Sequence, residues 1–509
     1  MRRLFLVAAT LLACPAVALV ACSSGSSGDG GAIAGPACAS GDAGYGADGG
    51  VLTPCAWDQP VAQPSDTTSA AGRAACTYKR GDLPEATLGP GTLPAEMPIE
   101  NIVVVMMENH SFDSYLGHLN QYGNRGDIEA ADAGATNPGV DGGPVPWAHA
   151  ERLCTADTDH SWAGTHREID TGKMDGFATV NDRTARAADA GADAALDPAV
   201  YSGARALWWY DQTDLPFYYQ LANTFAVADH YHAAVPGPTW PNRMYLISAT
   251  SFGLTSNDFP DLTPYPFPAR DVSVLDELEK RHVSWQLYAD GSPGAGVVYA
   301  TSLVTRWGRR NVLSHIDQFV ADAKAGHLPA VSLVDPDMPL TGSGGETDEH
   351  PPGDIQSGEA FVAQITQAVM TSPQWAHTAL FITHDEHGGF YDHVAPPPAC
   401  PPDTTAPILG SGDTTQGGFD MEGVRVVLLA VSPYAKKGYV GHHVYDHTSI
   451  TRFIEAKFKL PALTARDANA EPLTDLFDFS RPAFAKPPSL ATPTVDPTQY
   501  SYCTATFGK

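Results

Sequence analysis

Four short, uninterrupted apolar runs punctuate the chain, at Ile102–Met107, Ala330–Val334, Ala379–Thr383 and Val424–Val431. None shows the strict alternation of a strand with one wet face, so each is expected to be a strand buried on both sides. Between the runs lie stretches that read as helices, such as Val274–Lys280 and Gly358–Met370. Strands alternating with helices predict an α/β domain whose central, mostly parallel sheet is flanked by helices. Folds of this kind bind ligands beyond the carboxyl ends of their strands. The residues just after each run are therefore the first place to look for chemistry.

The ends of the chain read differently. Arg2 and Arg3 precede an apolar run from Leu4 to Val20, followed by Ala21, Cys22 and Ser23. A basic start, an apolar stretch and a small residue before a cut make residues 1–21 a signal peptide. Leu19-Val20-Ala21-Cys22 resembles a bacterial lipobox, in which the cysteine is acylated and becomes the mature N-terminus. Ser23 resembles the residue that sorts such lipoproteins to the outer membrane. Residues 23–50 are nearly all Gly, Ser, Ala and Asp, which cannot bury a core. Residues 22–95 are accordingly expected to be a lipid-anchored, flexible tether, 96–480 the ordered body, and the Pro/Thr-rich 481–509 an extended strap. Two Ala/Asp/Gly-rich stretches, 129–144 and 185–198, read as surface insertions. On this reading the protein is exported and meets the membrane through its N-terminal lipid.

Charge and cysteines narrow the picture. A formal charge of −28 over 509 residues argues against nucleic acid as a partner, since phosphate contacts need a basic surface. It does not exclude a phosphorylated substrate, because a local cation can reverse the potential inside an acidic cleft. With Cys14 removed and Cys22 acylated, Cys38, Cys55, Cys76, Cys154, Cys400 and Cys503 remain. An even number in an oxidising compartment favours disulfides, with about 15 full pairings open. No CxxC pair occurs, which counts against a zinc–thiolate site.

Candidate chemistry gathers at the strand ends. Glu108 and Asn109 follow the first run, and Asp385 and Glu386 follow the third. Alone, an acid after a strand is more often a helix cap. Two strand ends bringing carboxylates to one sheet edge, however, repel unless a cation lies between them. Three carboxylates and an amide oxygen suit one divalent cation of the Ca²⁺, Mg²⁺ or Mn²⁺ kind. The segment Pro236–Arg243 is rigid and proline-flanked, ahead of an apolar stretch. It places Thr239 at a helix N-terminus, where backbone amides attract phosphate.

These strings occur in order: Glu-Asn-His-Ser-Phe-Asp at 108–113, Asp-His-Ser-Trp at 159–162 and Gly-Pro-Thr-Trp-Pro-Asn-Arg at 237–243. Glu-His-Pro-Pro at 349–352, the 385–393 segment and Tyr-Asp-His-Thr-Ser at 445–449 complete the set. Together they resemble the bacterial phosphoesterase family of phospholipases C and certain exported acid phosphatases, over about 98–479. The resemblance implies an alkaline-phosphatase-like fold, with Glu108, Asn109, Asp385, Glu386 and Thr239 as metal ligands. It also implies Thr239 as nucleophile, with His160 and His350, joined by His393, binding phosphoryl oxygens or protonating the leaving group. Asp446 and His447 fall in a family string whose role is packing or support. His110 and His384 stand where the family usually has arginine and tyrosine, and His384 could alter the pH response.

The reading that follows is a metal-dependent phosphoesterase of phospholipase C type, acting on a phospholipid or small phosphate ester through a phosphothreonine. An acid phosphatase acting on monoesters is the alternative, and a non-catalytic surface lipoprotein is the other. The lipobox makes the first test. Cys22→Ser should release soluble protein from the membrane fraction, and mass spectrometry of an unmodified mature terminus elsewhere would remove the anchor.

Overall fold

The computed structural model describes residues 61–508, apart from 123–124, 184–197, 258–272, 291–312 and 339–344. The signal peptide, Cys22, Cys38, Cys55 and nearly all of the 185–198 insertion lie outside the described residues.

A central sheet carries the molecule. Its strands are β1 (Asn101–Met107), β2 (Ala226–Ala228), β3 (Trp285–Ala289), β4 (Leu313–Ser314), β5 (Val331–Asp335), β6 (Thr378–His384), β7 (Leu428–Val431) and β8 (Tyr439–Gly441), in the spatial order β8-β2-β7-β6-β1-β5-β3-β4. Only β7 runs against its neighbours β6 and β2. The expected α/β architecture with a mostly parallel sheet is what the chain adopts. Three of the four apolar runs become strands nearly end to end. The fourth is shorter than expected: 424–427 leave the ladder, and Arg425 there turns into a buried ion network with Asp113 and Asp392.

The unbroken apolar character of β1 has a direct cause. Every one of its residues is buried, and alternate side chains serve opposite faces. Val103, Val105 and Met107 pack against Tyr218, Phe361, Val362 and Val369, from the helices Pro216–Thr224 and Ile355–Thr371. Ile102, Val104 and Met106 pack against Met244, Ile247, Phe453 and Ile454, from the helices Thr239–Ser248 and His447–Phe458. The expected helix Val274–Lys280 is present, started by a capping box between Ser273 and Asp276. Among the described residues no helix is long and apolar enough to cross a membrane.

Both ends of the described chain depart from expectation. The tether was expected to be flexible to residue 95, but Asp66–Ala74 is a helix, capped by Ser65. Arg73 on it pairs with Glu471 at 2.7 Å, and Cys76 is bonded to Cys400. The strap 481–509 was expected to be extended, yet Pro497–Phe507 is a helix, with Asp496 as its N-cap and Pro497 in its first turn. Cys503 in that helix is bonded to Cys154. Both segments were read from composition, and long-range covalent and ionic ties override composition.

The C-terminal bond lies next to functional segments. Cys154 precedes His160 by six residues, and Cys503 Sγ is 3.8 Å from Asp354, which caps the long Ile355–Thr371 helix just after His350. Replacing Cys154 and Cys503 together by serine should cost about 2–4 kcal/mol of stability, read as a lower denaturant midpoint. An unchanged midpoint would mean that the terminal helix docks without its bond.

Candidate active site

Register builds the site. Met107 pairs with His384 and Val105 with Val334, so Glu108, Asp385 and Asp335 emerge at three adjacent, parallel strand ends. Glu108, Asp385 and Glu386 are all buried. Asn109 follows in the left-handed region, at φ 63°, and its N–H donates to Asp385 Oδ1 at 3.3 Å. Asp385 Oδ1 also accepts from the Glu386 N–H at 2.7 Å. Gly388, at φ +64°, lets the 385–389 turn close over Asn109, whose carbonyl a Cβ at that position would strike. The Asn109 amide lies between the acids and His350. Turned one way, Nδ2 donates to Asp385 and Glu386 while Oδ1 accepts from His350 Nε2 at 2.9 Å. Turned the other way, its oxygen joins the carboxylate oxygens, the orientation that a cation among them would select.

Arg243, to which the sequence reading gave no role, sits among these acids. Its Nε donates to Asp385 Oδ2 and its Nη1 to Asp335 Oδ1, both at 2.9 Å, and Nη2 lies 3.4 Å from Glu108 Oε1. Nη2 also donates to the carbonyls of Met106 and Met107. Thr239 begins the Thr239–Ser248 helix, which has no side-chain cap. Residues four apart share a helix face, so Thr239 stands one turn before Arg243 on the same face of the helix. Asn242 secures that entry, its Oδ1 accepting from the Val235 N–H at 3.0 Å and its Nδ2 donating to the Gly237 carbonyl at 2.8 Å. The signal for both residues was in the sequence, within the 237–243 string.

Burial and mutual repulsion set the electrostatics. Burial, with Glu108 and Glu386 close by, pushes the Asp385 carboxyl up to about 7 against the pull of Arg243. Burial also raises Glu108. Glu386 is the exception: despite burial, His160 and His387 hold it below the usual carboxylate range. His387 bridges Glu168, at 2.8 Å, and Glu386, at 3.3 Å, an orienting role that the sequence reading missed.

His160 and His350 face each other, ring centroids 5.4 Å apart. Each turns Nδ1 to a backbone carbonyl, that of Thr158 and Pro351 respectively, which leaves Nε2 for the site. Burial pushes both imidazoles down, but nearby carboxylates outweigh it. Glu386 and Asp157 raise His160, while Glu108, Asp157 and Asp348 take His350 up to about 9.

His393 is not brought to this group. Its Nδ1 meets Asp113 at 2.6 Å and its Nε2 meets Glu129 at 3.1 Å, within the network that also holds Arg425 and Asp392. The cause is Asp113, six residues into the first string, whose carboxylate claims the imidazole. His447 supports the site from behind, its Nε2 2.6 Å from the Asp385 carbonyl. His384 lies inside β6 against Glu349 at 2.7 Å, and burial takes it down to about 3. It is therefore neutral in ordinary buffers and contributes no titration there. His110 stacks on Phe390, with centroids 4.4 Å apart.

Residues 99–461 match the model of the Phosphoesterase family. The chain belongs to this family. This phosphoesterase is 34% identical over 395 residues to non-specific phospholipase C1 of Arabidopsis thaliana, covering 73% of this chain and 69% of that protein. It is 32% identical over 462 residues to phospholipase C B of Mycobacterium tuberculosis, covering 81% and 84%. Among solved structures, an alkaline phosphatase superfamily protein from Vibrio parahaemolyticus overlaps 82% of this chain and 79% of its own, with a TM-score of 0.38 and 9% identity, a likeness too loose to argue from. The phosphoesterase is a hydrolase acting on phosphoric ester bonds.

The His393 network makes a test by pH. With Asp113 beside it, and against the pull of burial, His393 is raised from 6.5 to about 9. A raised imidazole contributes stability that is full below about pH 6.5 and is lost as pH rises through about 9. The stability gap between wild type and His393→Asn should therefore shrink by about 1–3 kcal/mol across that window, measured by urea unfolding. A gap constant from pH 6 to 10 would show that the ion pair is not formed.

Proposed function

We propose that this phosphoesterase cleaves phospholipids in the phospholipase C manner, through Thr239 as nucleophile and a phosphothreonine intermediate. The observation that carries the reading is the shared face of Thr239 and Arg243. The guanidinium fixes that face against Asp385 and Glu108, and on this reading the hydroxyl one turn earlier lies beside the acids. The names of the relatives favour the phospholipid diester as substrate.

The acids and amide fit a divalent cation. Their donors are hard oxygens, and Glu108 Oε1 is buried without a hydrogen bond. Glu108, Asn109, Asp385 and Glu386 would hold the ion, with Thr239 beside them. When bound, a calcium, magnesium or manganese ion there supplies charge to offset the phosphoryl oxygens and lowers the pKa of the neighbouring hydroxyl.

The chain's own residues carry the rest. Thr239 Oγ, its proton released to solvent before the cycle, attacks phosphorus as the alkoxide while the bond to the leaving oxygen breaks on the opposite side. His160 and His350, both raised by the carboxylates around them, donate through Nε2 to the phosphoryl oxygens. One of them passes its proton to the departing alkoxide, which leaves as diacylglycerol. The resulting neutral imidazole accepts a proton from water as that water attacks the phosphothreonine, releasing the phosphorylated headgroup and restoring Thr239. Two imidazoles raised by neighbouring carboxylates also match a dianionic monoester, so acid phosphatase activity is the second reading. The N-terminal lipid expected at Cys22 would keep the enzyme against a membrane surface, where a lipid substrate is found.

Thr239→Val keeps the side-chain shape and removes the oxygen. Turnover of phosphatidylcholine vesicles and of nitrophenyl phosphate should fall by about three orders of magnitude or more, whereas Thr239→Ser should retain measurable rate. Quenched labelled substrate should leave phosphate on residue 239. Near-normal turnover by Thr239→Val would make water the nucleophile and end the covalent route.

A further inference from the structure

His160 and Glu386 reach the site from separate segments, the loop before the Trp162–Ile169 helix and the turn after β6. Neither residue lies in a strand of the sheet, so side chains must keep the two at one spacing. Asn181, the last residue of the Phe177–Asn181 helix, is buried and bonds to both segments. Its Oδ1 accepts from the Asp159 N–H at 2.6 Å, one residue before His160. Its Nδ2 donates to Glu168 Oε1 at 2.7 Å, to the Phe177 carbonyl at 3.0 Å and to the Gly389 carbonyl at 3.2 Å. Acceptors on one side and an N–H on the other fix the amide in this orientation.

The link continues from Glu168. Its Oε2 meets His387 Nε2 at 2.8 Å, and His387 Nδ1 lies 3.3 Å from Glu386 Oε2, which also accepts from the Gly388 N–H at 2.9 Å. Two more contacts brace the same frame. Thr158 Oγ1 donates to the Gly388 carbonyl. Arg205, fully buried, donates to the carbonyls of Ala156, Asp157 and Asn181. The fit leaves no slack: a Cβ on Gly389 would stand 2.9 Å from both the Asp159 carbonyl oxygen and Thr158 Cβ. Asn181 bonds neither the His160 nor the Glu386 side chain. It holds the backbone beside the first and reaches the carboxylate of the second through Glu168 and His387.

We propose that Asn181 is a positioning residue for the reaction, fixing the spacing between the His160 imidazole and the Glu386 carboxylate. This role rests on those given above to the two groups, phosphoryl binding and cation binding. An imidazole and a carboxylate that serve one phosphoryl group must hold their spacing closely, because a shift of about 1 Å can cost about a hundredfold in rate. Partners one step behind a ligating carboxylate are worth about ten- to a hundredfold in affinity or activity. An amide suits the place. It offers an acceptor to one segment and donors to the other, without adding a charge beside Glu168.

Asn181→Ala removes both ends of the link, and Asn181→Asp keeps the acceptor for Asp159 but loses the donors. In Asn181→Ala, kcat for nitrophenyl phosphate should fall by about ten- to a hundredfold. The dissociation constant of calcium, titrated into chelated protein and followed by calorimetry, should rise by about tenfold. Glu168→Ala should lose similar amounts, and the double variant little more than either, because both break one chain of contacts. Each variant is measured below its melting temperature, and should Asn181→Ala not fold, Asn181→Asp takes its place in the cycle. A calcium dissociation constant within about twofold of wild type, or losses that multiply in the double variant, would make Asn181 a packing residue and overturn the proposal. If wild type itself binds no calcium, the cation reading of the acids fails separately and the kcat cycle decides. Shared losses then support Asn181, and multiplied losses overturn it.

Discussion

The site depends on one pairing, the in-register parallel contact of β1 with β6. Seven matched residues end at Met107 and His384, so Glu108 and Asp385 must leave the sheet side by side. Two like charges about 4 Å apart cost about 4 kcal/mol at an effective dielectric of about 20. A sheet that creates this crowding needs a positive group at its edge, and Arg243 is that group. It binds carboxylates from all three strand ends and two carbonyls of β1, so it serves as a structural counter-ion and also as the fixture for the helix bearing Thr239.

Histidines divide the labour around this centre. His160 and His350 turn a ring nitrogen inward, because backbone carbonyls occupy the other. His387 and His447 act at one remove, the first on the Glu386 carboxylate and the second on the Asp385 backbone. His384 is more deeply placed and stays neutral. Position relative to the strand ends, and not residue type, decides which imidazole can carry a proton for the reaction.

Much of this was legible in the sequence, for identifiable reasons. The strands of the sheet centre were readable because burial on both faces leaves an unbroken apolar run, and acids just beyond such runs mark the ligand edge. Asp335 escaped notice because Pro336 follows it, so no adjacent pair of polar residues marks that strand end. Arg243 was in plain view four residues after Thr239, but an arginine among expected metal ligands looks like a contradiction until the third carboxylate is known. His393 lies elsewhere, on Asp113 and Glu129, because sharing a string with Asp385 and Glu386 says nothing about which way a loop turns. The helices at 66–74 and 497–507 were hidden by Pro, Thr and Ala, whose order here is imposed by distant partners.

The two cross-links have one more property. Cys76 joins Cys400 and Cys154 joins Cys503, so the covalent loops overlap without one containing the other. A single peptide-bond cut anywhere between Cys76 and Cys503 leaves both fragments joined by at least one sulfur bridge. A protease nick in a surface loop of that span thus leaves the protein one molecule.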